Sequence, residues 1–135
     1  MKQIVFIFMA LLLTASMAKA QDVAKAQTSN EPAAAIALDE EVYDFGDIKE
    51  SAGPVTHIFV VKNNGEAPLV ITRVLPTCGC TTPEWSKEPI APNGKGSITV
   101  TYDPTGRPGP FNKTVNVLSN GKRGSVTIII KGNVV

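Results

Sequence analysis

The feature that most limits what this chain can fold into is a period of two in its apolar residues. Apolar side chains alternate with mostly polar ones over residues 55–62, 97–102 and 125–130, and Val, Ile and Thr dominate these runs. Such alternation predicts strands with one buried face, and β-branched residues favour strands. From Ile36 onward no segment combines a helical period with capping residues. The sequence therefore predicts an all-β domain.

Turn-forming residues separate the predicted strands. Asn64-Gly65 predicts a chain reversal, and the prolines, Pro76 and Pro83 among them, are placed between strand candidates. About seven short antiparallel strands favour an immunoglobulin-like β-sandwich, with a small barrel as the alternative. The predicted strands are 36–38 continuing through 42–45, 55–62, 69–75, a weak strand at 88–90, 97–102, 113–118 and 125–130. The predicted core consists of Phe59, Val61, Ile71, Val100, Tyr102, Val115, Val117, Ile128 and Ile130.

The first twenty residues have the layout of a secretory signal peptide. Lys2 precedes an unbroken apolar run at 4–13, and Ala18-Lys19-Ala20 forms a small-residue cleavage site. The apolar run is shorter than the roughly 20 residues that a membrane-spanning helix needs, and an uncleaved anchor is the alternative. We expect residues 1–20 to be a signal peptide, residues 21–35 a flexible polar leader and residues 36–135 the folded domain.

Compartment and charge limit the classes of partner. We expect an exported protein of the periplasm or cell surface, with no membrane span after signal cleavage. Removal of Lys2 and Lys19 with the signal leaves one more acidic than basic side chain. The longest basic group, Lys122-Arg123, lies in a predicted turn. A near-neutral chain without a basic patch is not expected to bind nucleic acid.

Four motifs in order carry a family resemblance. They read VYDFGDI at 42–48, THIF through NNGEAPL within 56–69, CGCTTPEW at 78–85 and GRPGPF at 106–111. Together they resemble the bacterial secreted family termed domain of unknown function 1573, which is common in Bacteroidetes. The resemblance covers residues 36–135. It implies an immunoglobulin-like sandwich related to major sperm protein and Hydin-like domains, and it implies no established activity.

The two cysteines of the chain, Cys78 and Cys80, stand on either side of Gly79. An exported dithiol tends to be oxidised, and Gly79 permits the bend that a bridge between alternate residues needs. Such a bridge cannot join distant parts of the fold. Its role stays open between a local bridge that stiffens a loop, a labile redox or mixed-disulfide pair, and thiolates that bind Cu(I) or Zn(II). Unpaired thiols without a role are the remaining alternative.

Three other side chains are candidates for function. Trp85 either packs over the edge of the sandwich or is an exposed anchor for a partner. Arg107 either lies exposed in a bend or grips a carboxylate or phosphate. The only histidine, His57, is expected to be a hydrogen-bonded residue at the edge of the core rather than a catalytic or metal-binding one.

No catalytic residues and no cofactor are predicted, because the sequence lacks a recognisable nucleophile motif and a phosphate-binding loop. We therefore expect a non-enzymatic binding or structural module. Its partner would be an unknown protein or component of the cell envelope, contacted through the cysteine loop with Trp85 and Arg107. The alternative is a thiol-redox or soft-metal accessory protein that uses Cys78 and Cys80.

Overall fold

The computed structural model describes residues 31–135, so the predicted signal peptide and residues 21–30 of the predicted leader lie outside the described residues. This part of the chain forms eight strands and one short 3₁₀ turn. It contains no helix long and apolar enough to cross a membrane. The elements are β1 Ile36–Leu38, β2 Val42–Ile48, the 3₁₀ turn Glu50–Ala52, β3 Val55–Asn63, β4 Ile71–Pro76, β5 Thr81–Trp85, β6 Lys95–Tyr102, β7 Gly109–Ser119 and β8 Ser125–Val134.

The strands form two four-stranded sheets. The first has the order β1-β3-β6-β5, and the second has the order β2-β8-β7-β4. If β1 and β2 are counted as two parts of one first strand, β3, β6 and β5 are the second, fifth and fourth strands. This is the immunoglobulin arrangement, in which the first, second, fifth and fourth strands make one sheet and the third, sixth and seventh the other, here extended by β2. The fold prediction is therefore confirmed, and the barrel alternative is wrong because the strands close no single sheet.

The inward positions of the alternating runs build the core between the sheets. All nine residues predicted for it are buried, and Leu69, Ile98 and Phe111 join them. Tyr102 of the first sheet stacks on Phe111 of the second, with ring centroids 4.0 Å apart. Removal of these apolar side chains from water is the main favourable term in forming the sandwich.

The predicted first strand divides between the sheets. β1 pairs antiparallel with β3, whereas β2 pairs in parallel with β8, so the predicted antiparallel sandwich contains one parallel pair of strands. The chain crosses between the sheets at Asp39, Glu40 and Glu41. Consecutive acidic residues cannot place alternate side chains in an apolar core, and this breaks the strand. Asp39 N–H still bonds to Val60 O, but Glu41 O already accepts from Ile129 N–H.

The predicted weak strand at 88–90 was also wrong. Ile90 makes only an isolated bridge with Leu69, and the edge strand is β5, which contains Pro83. Cys80 O accepts from Asp103 N–H, just after β6, and Ser86 N–H donates to Ser97 O of β6. By the alternation of an antiparallel ladder, Pro83 therefore turns its nitrogen away from β6. A proline is tolerated at such an outward position of an edge strand.

Asn63 organises the reversal after β3, which links strands of different sheets. Its fully buried side chain accepts hydrogen bonds from Ala35 N–H at 3.2 Å and Gly65 N–H at 2.9 Å. Its amide donates to Ala67 O at 2.7 Å and Ile90 O at 2.9 Å. Hydrogen-bonded structure therefore begins before the predicted domain start at Ile36.

Candidate functional site

The cysteine loop joins β4 of one sheet to β5 of the other across one end of the sandwich. Cys78 and Cys80 form a disulfide, with their Cα atoms 5.2 Å apart. Gly79 lies between them with open space around its Cα. The bridge therefore fixes the shape of a surface loop and joins no distant segments.

Backbone hydrogen bonds hold both ends of this loop. Thr77 N–H and its hydroxyl both donate to Thr114 O at 3.1 Å, which ties the loop to β7. Asp103 N–H donates to Cys80 O at 2.9 Å, which ties it to the chain after β6. The loop is thus anchored to both sheets as well as bridged.

The two sulfur atoms lie in different surroundings. Cys80 is buried, with 4% of its surface exposed, whereas Cys78 is half-buried at the surface. Cys78 Sγ accepts a hydrogen bond from Cys80 N–H at 3.1 Å, and Cys80 Sγ lies 3.8 Å from the hydroxyl of Thr81. An external thiolate would therefore reach Cys78 first, and Cys80 would be the leaving sulfur.

The loop at 103–108 lies beside the cysteine loop and carries Arg107. Thr105 N–H donates to Asp103 Oδ1 at 3.0 Å, and Gly106 N–H donates to Glu50 Oε1 at 2.6 Å. The first bond shapes the loop, and the second joins the 3₁₀ turn to this end of the sandwich. Arg107 is exposed there, and its N–H donates to Pro104 O at 3.0 Å.

Two titrating groups at this end have shifted pKa values. Hydrogen bonds from Thr105 lower the pKa of the Asp103 carboxyl, and the positive charge of Arg107 acts in the same direction. Burial raises the pKa of Tyr102, and Arg107 opposes part of that rise. This end therefore keeps Asp103 ionised and Tyr102 neutral near pH 7.

Trp85 lies at the opposite end of β5 from the cysteines, paired with Ile98. Its ring is half-buried against the core, with Lys87 Nζ 2.9 Å above the ring centroid. The indole N–H is buried and has no partner among the residues the structure describes. The structure thus brings Cys78, Cys80 and Arg107 to one end and leaves Trp85 at the other.

His57 packs at the edge of the core, as predicted. Its ring stacks on Tyr43 of the second sheet at 3.5 Å and meets Phe59 edge-on at 4.8 Å. Its Nε2 contacts the carboxylate of Glu40. The contacts are those of a packed, hydrogen-bonded side chain, and His57 is separated from the cysteine loop by β6.

Sequence reasoning misses Asp103 and Glu50, which fix the loop that carries Arg107. The signal for Asp103 is present, since Asp103-Pro104-Thr105-Gly106 is a turn sequence in which the first side chain bonds to the backbone two residues on. No local signal marks Glu50, because its partner Gly106 is distant in the sequence.

The family model described as protein of unknown function DUF1573 matches residues 36–134, so the chain belongs to that family. No curated protein matches the sequence. The family assignment confirms the resemblance seen in the motifs and carries no activity with it.

Solved structures share the fold at low sequence identity. A protein of unknown function from Porphyromonas gingivalis W83 aligns with TM-score 0.65 and 16% identity, over 74% of this chain and 46% of that one. The ASH/PapD-like domain 7 of human CEP192 aligns with TM-score 0.59 and 10% identity, over 76% and 87%. The YadV chaperone aligns with TM-score 0.53 and 15% identity, over 73% and 51%. The chain thus spans less than half of the Porphyromonas protein, and these similarities show an immunoglobulin-like sandwich fold.

Proposed function

We propose that this protein is an exported, non-enzymatic binding module of the bacterial cell envelope. Its contact surface is the end of the sandwich that carries the cysteine loop and Arg107. One observation carries the proposal: a disulfide closes a loop that is already hydrogen-bonded to both sheets, and Cys80 of this loop bonds to Asp103 of the loop that carries the exposed Arg107. Rigid loops on a sandwich lose little conformational entropy on binding, which favours recognition.

The chemistry of this end suits recognition better than catalysis. Arg107 offers several donors in a planar fork, which fits a carboxylate or phosphate of a partner. Asp103 and Glu50 accept backbone hydrogen bonds that shape the loop. Trp85 lies outside this surface and is not part of the proposed contact.

A photo-crosslinking amino acid at position 79 of the full chain, expressed in the native host, tests the proposal and leaves Arg107 in place. We expect a defined covalent adduct from position 79 and none from position 122, which is exposed in the turn at the other end of the sandwich. The adduct from position 79 should weaken when Arg107 is replaced by Ala. Absence of an adduct at 79, or equal adducts at both positions, would overturn the proposal.

Export has its own test. Protein recovered from the cell envelope should begin at Gln21 on N-terminal sequencing, because cleavage is expected after Ala20. Recovery of the intact chain from the cytoplasm would contradict export.

A thiol-redox role is the second candidate, favoured by the hydrogen bond from Cys80 N–H to the accessible Cys78 Sγ. In thiol–disulfide exchange, a partner thiolate would attack Cys78 Sγ and form a mixed disulfide with it. The bond between Cys78 and Cys80 would break, and Cys80 would leave as a thiolate. That thiolate would be buried with only a weak hydroxyl neighbour, which disfavours the step. Equilibration with glutathione buffers of known ratio measures the potential. A value in the range of exchange proteins would favour this role.

Soft-metal binding by the reduced pair belongs to the same candidate. The described residues offer no group of three His, Cys, Asp or Glu side chains placed to hold a metal ion, so Cys78 and Cys80 would be two ligands without a third. Closed zinc sites use four ligands. Native mass spectrometry of the reduced protein with Cu(I) tests this role, which requires a one-to-one complex that the double Ala variant loses.

A further inference from the structure

Most sheet edges of this domain carry features that prevent pairing with another strand. On β5 the outward positions are Thr81, Pro83 and Trp85. Thr81 N–H is already bonded to Cys78 O, and Pro83 has no N–H to offer. Proline on an edge strand is a known means of blocking edge-to-edge association.

The edges of the second sheet are protected in other ways. β4 has a register shift between Ile71 and Arg73 and ends on Pro76. β2 has an irregularity between Asp44 and Asp47, with Gly46 at φ +66° and both carboxylates exposed. Bulges and charges of this kind twist an edge away or repel a second strand.

The remaining edge is open over half of β3. β1 pairs only with residues 61–63, and its last bond is from Asp39 N–H to Val60 O. Even-numbered residues of β3 face this edge, so Thr56 and Ile58 turn their N–H and C=O groups toward it. Within the described part of the chain, these groups have no backbone partner.

One side-chain contact agrees with the outward orientation of the Thr56 and Ile58 backbone groups, and two further features show that this edge is unprotected. The hydroxyls of Thr56 and Thr101 lie 3.0 Å apart, as side chains do across a pair that exchanges no backbone bonds. Ile58 is 56% exposed, although it is a large apolar residue on a regular strand. The segment Val55–Phe59 has no proline, bulge or lysine, the features that protect an edge.

The size of the opening limits what can occupy it. Asp39 and β1 close it at one end, and the loop that holds the 3₁₀ turn precedes Val55 at the other. At about 3.3 Å per residue, five residues span roughly 16 Å. An extended segment of about five residues therefore matches the length of the opening.

Charge at the opening indicates the kind of segment. The crossing between the sheets brings Glu40 into contact with His57 of β3, and Glu41 is the next residue of the crossing. Asp39 is neutralised by Lys62 at 2.6 Å, and Glu40 contacts His57. Glu41 is exposed and has no ion pair within residues 31–135. An incoming strand with lysine or arginine would complement this border.

We propose that the open edge of β3, Val55–Phe59, is a docking site for an extended basic segment of a partner protein. The segment adds as a strand beside β3, and its backbone pairs with the free groups of Thr56 and Ile58. Its apolar side chains contact Ile58, and its basic side chains meet Glu41. The site is separate from the cysteine loop, so each proposal stands if the other fails.

The test uses a short acetylated and amidated peptide in which Lys and Val alternate, added to the full mature chain. In the free protein the amide protons of Thr56 and Ile58 should exchange rapidly, while those of His57 and Phe59 are protected by β6. Saturating peptide should slow exchange at Thr56 and Ile58 by at least about tenfold. The same peptide N-methylated at every residue should have no effect, because it has no N–H to donate to the edge.

Matched variants separate edge pairing from other binding. Ile58→Pro removes an outward N–H without removing a bond to β6, and it should abolish the exchange protection. If that variant fails to fold, Glu41→Lys serves instead and should weaken binding at least about fivefold, whereas Glu84→Lys on β5 should not. Equal loss with Thr99→Lys would indicate binding on the sheet face and overturn the proposal. Absence of binding up to about 1 mM peptide, or an Ile58-dependent dimer in sedimentation, would also overturn it.

Discussion

The N–H of Cys80 donates a hydrogen bond to the sulfur of Cys78, 3.1 Å away, inside the ring that their disulfide closes. The bridge and this bond constrain the same few backbone dihedrals around Gly79. The disulfide therefore acts on the loop alone, and the sandwich depends on its apolar core.

Reduction of the bridge should cost little stability. In the chain-entropy description, a loop this short is worth at most about 1.5 kcal/mol, because the unfolded chain loses few conformations when it closes. Urea unfolding of the oxidised protein and of the same protein in excess reductant measures the difference. A loss above about 3 kcal/mol would contradict a purely local role and show that the loop supports the core.

Asn63→Ala should destabilise the domain strongly. The change leaves Ala35 N–H, Gly65 N–H and Ala67 O without their side-chain partner in a buried site. Unsatisfied buried groups cost about 1–3 kcal/mol each, and partial relaxation gives an expected loss of about 2–4 kcal/mol. Thermal or urea unfolding provides the measurement. Asn64→Ala is the control, since Asn64 is exposed, and its loss should stay within about 0.5 kcal/mol. A loss in Asn63→Ala no larger than that of the control would contradict the role of the Asn63 side chain.

Gly65→Ala should be far more damaging than Gly79→Ala. A Cβ at position 65 would overlap Ala33 O and lie 2.5 Å from Ala35 N. Both atoms belong to the backbone that leads into β1, which cannot move aside freely. We expect a loss of about 1–3 kcal/mol from this overlap. At Gly79 nothing lies within 4 Å of the added carbon, so the effect should stay within about 0.5 kcal/mol. Equal stability of the two variants would mean that residues 33–35 do not lie over the turn in solution.

The sequence predicts the fold far better than it predicts the surface. The period of two identifies the buried positions from Phe59 to Ile130, because burial and pleat depend on local pattern. It misses β5, since Pro83 looks like a strand breaker until its neighbours show that its nitrogen faces outward. It also misses the openness of β3 at Ile58, because that depends on where β1 leaves the sheet.

The sequence predicts the individual parts of the candidate site but not their spatial arrangement. Cys78, Cys80 and the turn at Asp103 are local signals. The pairing of β5 with β6 decides that these residues lie at the same end as Arg107 and that Trp85 lies at the other end. It places Thr81 opposite Tyr102 and Trp85 opposite Ile98. Such register arises from long-range packing and cannot be read from spacing alone.

Alkaline pH should destabilise the domain through Tyr102. Burial raises the pKa of this phenol above its ordinary value, so the folded state holds its proton at pH values where the unfolded chain releases it. The contribution of Tyr102 is then complete below about pH 10 and is lost as pH rises through the folded-state pKa. Tyr102→Phe keeps the ring that stacks on Phe111 and removes the titration. Unfolding free energies of both proteins, measured from pH 7 to 11, should converge or cross at the alkaline end. Parallel curves across that range would show that Tyr102 titrates alike in the folded and unfolded chain.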